Sequence, residues 1–349
     1  MGKISLSTNV DLQNYAMRID AIAKAFNPLG IEIFSLPQNY APKIMLELPE
    51  TAQSYEGKFT VLNRQTAKEL GKLLKKNGVA KIQFHYPWQK TLLDMNGHDI
   101  ALTYAFCDII KDESGAERLT INHHNSYKYP VPSAMVGLNG KYRKELLKML
   151  KKQTGFTSSI GKQMGTNCQL VVENNPAVSI DDDKKTGEKI VDVFDLVVED
   201  YIGREGLDGM TLDYSHAWCV VDYFKRDRSN PSDTQFLWEG AFNEPSWNME
   251  WCRQQYGGVP RSAQSMENYV KKAAHIIKWV HIGDEPHAFT HSGGHVGEGK
   301  IDFKECAELL NSSLPMETPA TIEVKDGHTD VGFKRILEHD LPLLKELFG

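Results

Sequence analysis

Paired cysteines are what this chain most plainly lacks. Its five cysteines, Cys107, Cys168, Cys219, Cys252 and Cys306, are scattered, odd in number and never spaced as CxxC. That pattern excludes a disulfide framework and a cysteine-held zinc finger, and it suits reduced thiols in a cytoplasmic protein. No apolar run approaches the length of a membrane span, and the opening MGKISLSTNVDLQNYAMRID turns polar too early for a secretory core. The expectation is a protein with no membrane partner. A basic excess is missing too: 40 Lys and Arg stand against 46 Asp and Glu, a net charge of −6 at pH 7. A chain of that sign does not coat nucleic acid wholesale, although a local basic face stays open. GxSxG, Walker A and HExxH elements are absent, as are internal repeats and low-complexity segments.

What is present is enough apolar residue for a full core. With 349 residues, 41% hydrophobic and 25% charged, the chain fits one large α/β domain or two smaller ones. Short apolar runs suited to buried parallel strands recur: KISLST (3–8), GIEIFSL (30–36), VAKIQFH (79–85), RLTINHH (118–124), CQLVVEN (168–174), DGMTLDY (208–214), KWVHIGD (278–284) and ATIEVKD (320–326). Between them lie amphipathic stretches. RQTAKELGKLLKKNG (64–78) puts Leu70, Leu73 and Leu74 on one face and Lys on the other. KYRKELLKMLKKQTG (141–155) and SMENYVKKAAHIIK (265–278) read the same way, and Gly78 and Gly155 sit where a helix would stop. Eight strand–helix units predict a single (β/α)8 TIM barrel over 1–349. A doubly wound open sheet is the rival, but no glycine-rich phosphate loop follows the first strand.

The largest excursion, residues 225–262, falls between the sixth and seventh strands and is rich in Pro, Gly, Asn and Trp. Its length predicts a loop or lid over the barrel mouth that sets substrate choice, by closing over a small ligand or by bracing a partner subunit in a homo-oligomer. A packing insert that covers the rim is the alternative.

Six of the eight strands carry a metal-type ligand at or near the C-terminal end: His85, His123, Glu173, Asp213, His281 and Glu323. In a barrel those ends converge on one mouth. One such residue alone is most often a satisfied polar side chain; six at one position point to a site. Imidazoles mixed with carboxylates suit Zn²⁺, Mn²⁺, Fe²⁺ or Co²⁺, whereas an all-oxygen set would point to Mg²⁺ or Ca²⁺. The two glutamates, Glu173 and Glu323, are the candidate proton carriers on either side of a bound substrate. Crowded carboxylates without a cation between them are costly.

Asp213 and His216 stand three apart in LDYSH. Strand side chains alternate, so both reach the mouth only if the strand ends near Asp213 and His216 lies on a turn, nearer the rim. They would then serve different metals, or divide into a ligand and a substrate contact; an Asp–His hydrogen bond that fixes a loop is the plain alternative. Further on, HIGDEPHAFTHSGGHVGEGKIDF (281–303) supplies His287, His291 and His295 before GEG (297–299). His291 and His295 are candidates for an additional metal site, and His287 reads as a solvated loop residue.

From GIEIF to TIEV, the ordered set VVENN, LDYSH, VHIGD, GEGKIDF and TIEV resembles the xylose isomerase-like barrel superfamily, which holds sugar isomerases and epimerases and the endonuclease IV group (AP endonuclease family 2). Likeness to the ketose epimerases implies one divalent ion held by Glu173, Asp213, His281 and Glu323. The two glutamates would alternate as base and acid beside a carbonyl, and His216 would touch the substrate. Likeness to endonuclease IV implies two or three zincs, with His85, His123 and His216 as further ligands and abasic DNA as the partner. That group carries an Asp-x-His pair before GEG; this loop reads HSGGHVGEG, which leaves a third zinc to His291 or His295. The group's opening G-A-H-x-S is likewise replaced by SLSTNV. Trp88 falls near an aromatic that endonuclease IV inserts into DNA and suits a sugar binder equally well. Lys325 and Asp326 follow Glu323 and are candidate substrate contacts. The leading expectation is a metal-dependent sugar or polyol isomerase or epimerase. The alternatives are a multi-zinc phosphodiesterase and a barrel that has lost catalysis and only binds.

Overall fold

Each of the eight apolar runs forms a strand, and together they close on themselves. The computed structural model describes residues 3–9, 12–26, 30–34, 46–48, 51–53, 64–86, 92–124, 141–176, 180–182, 189–191, 196–225, 256–286, 293–327 and 329–348. The strands are β1 (Lys3–Asn9), β2 (Gly30–Phe34), β3 (Lys81–His85), β4 (Arg118–His123), β5 (Gln169–Glu173), β6 (Gly209–Asp213), β7 (Ile277–Ile282) and β8 (Pro319–Ile322). They follow one another around a closed barrel in chain order, every neighbouring pair parallel. The α-helices among the described residues are α1 (Leu12–Phe26), α2 (Arg64–Lys76), α3 (Gly97–Ser114), α4 (Lys141–Met164), α5 (Tyr214–Lys225), α6 (Met266–Ala273), α7 (Phe303–Ser313), α8 (Asp330–Arg335) and α9 (Leu341–Phe348).

Alternation on the strands makes two buried layers of opposite character. Ile82, Phe84, Leu119, Ile121, Leu170, Val172, Met210, Leu212, Val280 and Ile282 are all buried, on the strand faces that meet the helices. Each contributes roughly 1.5–3 kcal/mol on burial. On α2, Leu70 and Leu74 are buried and Leu73 is half-buried, as the amphipathic pattern requires. The alternate strand positions, Gln83, His85, Thr120, Asn122, Glu173, Thr211, Asp213, His281 and Thr321, are equally buried but polar. A polar barrel interior is the feature that positions the site.

Several local expectations change. Gly155 does not end a helix: α4 runs on to Met164 and stops at Gly165, whose φ of 69° is the left-handed conformation glycine adopts most freely. The glycine that permits close approach there is Gly206, where a Cβ would lie 3.0 Å from the Ser158 Cβ and 3.3 Å from the Gly155 Cα, whereas a Cβ on Gly155 would meet nothing within 4 Å. The β5–β6 connection holds a short 3-10 turn, Val198–Asp200, in place of an α-helix among the described residues. Two antiparallel hairpins, Leu46–Leu48 with Thr51–Gln53 and Ile180–Asp182 with Lys189–Val191, interrupt the strand–helix alternation. Most of the 225–262 insert lies outside the described residues. Cys107, Cys168, Cys219 and Cys306 are buried and form no disulfide among the described residues. No described helix is long and apolar enough to cross a membrane.

Candidate metal centre

Glu173, the last residue of β5, is the hub of the mouth. Its carboxylate accepts a hydrogen bond from Asn122 Nδ2 at 2.7 Å and lies 3.0 Å from His85 Nε2. The His124 Nε2, His216 Nδ1 and His281 Nδ1 atoms stand at 3.7, 3.6 and 3.5 Å. Tyr201 on the turn after β5 donates to the Glu173 carbonyl at 3.0 Å, which pins the strand end. Glu323, after β8, reaches His281 Nδ1 from the other side and, at 29% side-chain exposure, is the one member open towards the mouth.

The donor atoms fall into two groups that share Glu173. His85, Glu173, His281 and Glu323 place one ligand atom each within 4.8 Å of one another, and Glu173, Asp213 and His216 do the same. The four residues expected around a single ion are therefore divided: Glu173, His281 and Glu323 stand with His85, while Asp213 stands with His216. The expected separation of Asp213 from His216 does not hold. No turn intervenes; α5 begins at Tyr214, and its first turn folds His216 back over the strand end. Asp213 Oδ1 accepts from Ser215 Oγ at 2.6 Å and from the His216 amide at 2.8 Å, so it caps the helix. His216 Nδ1 stands 2.7 Å from the Asn174 carbonyl, which places the proton on Nδ1 and leaves the Nε2 lone pair facing Asp213 Oδ2 at 3.5 Å. Two acceptors aimed at one point suit a cation between them.

At the end of β4 it is His124, next to the His123 that the sequence suggested, that faces Glu173, and it too stands outside both donor groups. His123 is buried against the Tyr86 ring, with centroids 4.5 Å apart, in the layer between barrel and helices, and belongs to neither donor group. Asn122 and His124 share the inward face and meet Glu173. Strand alternation through Thr120, Asn122 and His124 is the signal that finds them. His295 also stands apart, with Nδ1 2.6 Å from Asp340 and Nε2 3.0 Å from Asp326. Lys325 is exposed, and its amide donates to the Gly293 carbonyl. Trp88, His287 and His291 lie outside the described residues.

Electrostatics match the geometry. Glu173 is held well below the ordinary carboxylate range: burial would raise it, but His281, His124 and His85 outweigh that. Glu323 falls to about 2; burial opposes this shift and His281 drives it. Burial, then Glu173 and Glu323, push Asp213 up to about 8, so without a cation this group keeps its proton at neutral pH. His281 is raised well above its usual value, burial being overcome by Glu32, Glu323 and Glu173. Burial pushes His123 down to about 3 and His124 to about 4. The buried atoms His281 Nδ1 and Glu323 Oε2 adjoin without hydrogen-bond geometry. Orphaned donors, crowded carboxylates and a mixed imidazole–carboxylate set all fit a divalent ion.

No family model and no curated protein matches the sequence. Solved structures do match in shape. An L-ribulose 3-epimerase superposes with a TM-score of 0.54 at 11% identity, covering 100% of this chain and 95% of that one. Endonuclease IV from Thermus thermophilus gives 0.52 at 11%, covering 99% and 98%. D-allulose 3-epimerase from Methylomonas sp. gives 0.51 at 12%, covering 99% and 98%. The fold is a closed (β/α)8 barrel like those of these structures. At these identities the likeness is one of architecture, and the chemistry has to be argued from the residues.

Proposed function

We propose that this barrel is a divalent-metal-dependent enzyme that moves a proton beside the carbonyl of a sugar-like substrate, as an isomerase or epimerase does. The observation that carries the reading is that two carboxylates, Glu173 from β5 and Glu323 from β8, converge on His281 Nδ1 from different strands. Glu173, His281 and Glu323, with His85 or Asp213, would hold the ion. When bound, it would polarise the substrate oxygens and stabilise the charge that develops on them. The protein's own part is proton handling. Both glutamates are ionised at neutral pH, so either can accept the proton; the one that took it can return it, and for delivery from the opposite face the other must first take a proton from solvent. Asn122 and His85 orient Glu173, and the open position of Glu323 admits substrate.

A second reading, a metal-dependent phosphodiesterase acting on abasic DNA, is favoured by the sharing of Glu173 between two donor groups. A carboxylate so placed can bridge two ions, and His85, His124 and His216 enlarge the imidazole set around it.

One experiment separates the two. Protein loaded with Mn²⁺, Co²⁺ or Zn²⁺ is incubated with a panel of ketoses in D2O and followed by NMR, alongside an abasic oligonucleotide. Metal-dependent deuterium exchange next to the carbonyl is expected. Strand incision with no exchange would replace the first reading by the second, and neither activity under any metal would refute both.

A further inference from the structure

One buried carboxylate belongs to neither donor group. Glu32 lies mid-way along β2, fully shielded from solvent, and neither of its oxygens meets a hydrogen-bond donor in good geometry. Its one ion pair among the described residues is with His281, Nε2 to Oε2 at 3.0 Å. The same Nε2 stands 2.8 Å from Gln83 Oε1. Gln83 is itself fixed, because its amide nitrogen donates to Thr211 Oγ1 at 2.9 Å and so turns the amide oxygen towards the imidazole. Two acceptors beside Nε2 require that nitrogen to carry hydrogen. Nδ1, on the far side of the ring, faces Glu173 and Glu323.

We propose that Glu32 is a positioning residue of the metal centre: with Gln83 it holds the proton on His281 Nε2 and so presents Nδ1 to the ion. This inference rests on the metal-dependent reading of the mouth. A histidine ligand whose other nitrogen donates to a carboxylate or carbonyl has its tautomer and ring orientation set, and it becomes a stronger donor. The Nε2–H is directed at Gln83, while a Glu32 carboxyl oxygen lies 3.0 Å from the same nitrogen. A buried carboxylate with a single partner is a poor stabilising device, and replacing it by an apolar side chain is often neutral or stabilising. Its presence is explained if the charge acts through His281 on the ion. The sequence carried a faint trace of this, one acid inside the otherwise apolar run GIEIF.

The test uses Glu32→Leu and Glu32→Gln in the full chain, with Co²⁺ as the probe. Three quantities are measured at one pH: Co²⁺ affinity by chelator competition, the visible spectrum of the Co²⁺-saturated protein, and the melting temperature of the metal-free protein. The expected result is a Kd raised roughly tenfold to a hundredfold in both variants, a shifted spectrum, and a metal-free melting temperature equal to or above that of the wild type. Affinity within twofold of wild type in both variants would overturn the inference. So would a loss of affinity in both that comes with an unshifted spectrum and a lowered melting temperature, because Glu32 would then serve only the fold. A wild-type chain that binds no Co²⁺ would overturn the metal reading itself, which is a different failure from variants that bind as well as the wild type.

Discussion

Replacing His123 by Phe tests the placement of the β4 histidines and the electrostatics of the barrel wall together. His123 is 1% exposed, its Nδ1 has no partner, and burial, then His85 and His124, lower it from 6.5 to about 3. Unfolding returns the ring to its ordinary value, so below pH 6.5 the unfolded chain binds a proton that the folded chain refuses. The sign follows: this group's contribution is intact above the unfolded value and is lost as the pH falls from about 6.5 towards about 3. Between pH 8 and pH 5 the loss is roughly RT ln(1 + 10^1.5), or about 2 kcal/mol. His123→Phe keeps a flat ring against Tyr86 and removes the titration, so its stability should fall by about 2 kcal/mol less than the wild type's over that interval. With an unfolding entropy of about 2.1 cal/mol/K per residue, the difference is about 3 °C in melting temperature for this chain. Both proteins are compared in chelator, so that the effects of the metal centre cancel. Co²⁺ affinity of the variant should match the wild type, since His123 faces away from Glu173. Unchanged pH dependence would refute the electrostatic reasoning; loss of Co²⁺ binding would refute the placement and restore the ligand role that the sequence suggested.

Three further outcomes are expected. Mn²⁺ or Co²⁺ at a hundred times its Kd should stabilise the protein by about 2.7 kcal/mol, seen as a reversible rise of about 4 °C in melting temperature; no rise with any of Mn²⁺, Co²⁺, Zn²⁺ or Fe²⁺ counts against the metal centre. Glu323→Gln should lower metal-dependent deuterium exchange by roughly a hundredfold or more with the fold intact, and full exchange in that variant would remove Glu323 from the proton path. Asp284 accepts from the amides of Glu285, Gly297, Gly299 and Ile301 at 2.9, 2.9, 2.8 and 3.2 Å. Asp284→Ala strands these donors and should cost about 3 kcal/mol or more, so a melting temperature within 1 °C or so of wild type would show that this cradle carries no stability.

The strands were legible in the sequence because a barrel strand is buried on both faces and so appears as a short apolar run, whatever its neighbours. Reading which face a residue takes is harder, because it depends on register by one residue. His123 and His124 are adjacent in INHHN, and only alternation from Thr120 through Asn122 assigns the inward face to the second. Asp213 and His216 were expected to share the mouth only if the strand ended near Asp213, and it does; what the spacing did not show is that a helix follows at once in place of a turn, and on a helix positions three apart share a face. Glu32 and Gln83 escaped notice because they lie two residues before their strand ends, beneath the level at which ligands were sought. His295 looked like a ligand beside GEG, but its partners, Asp326 and Asp340, come from 31 and 45 residues away, beyond what local spacing can show.

The same crowding that suits the mouth to a cation burdens the metal-free fold. Glu32, Glu173 and Asp213 are all buried, and Glu323 is mostly so. The imidazoles that could neutralise them are in part held neutral, His124 at about 4 among them. One consequence is that Asp213, at about 8, keeps a proton where an ion would otherwise stand. Its folded value lies above its unfolded 3.8, so its contribution is fully present below pH 3.8 and is lost as the pH rises through about 8. An ion bound beside Asp213 and His216 displaces that proton and removes the penalty. Binding and folding are therefore linked through one group. A barrel interior lined with Leu and Val would be more stable, but it would leave nothing at the strand ends to hold a charge.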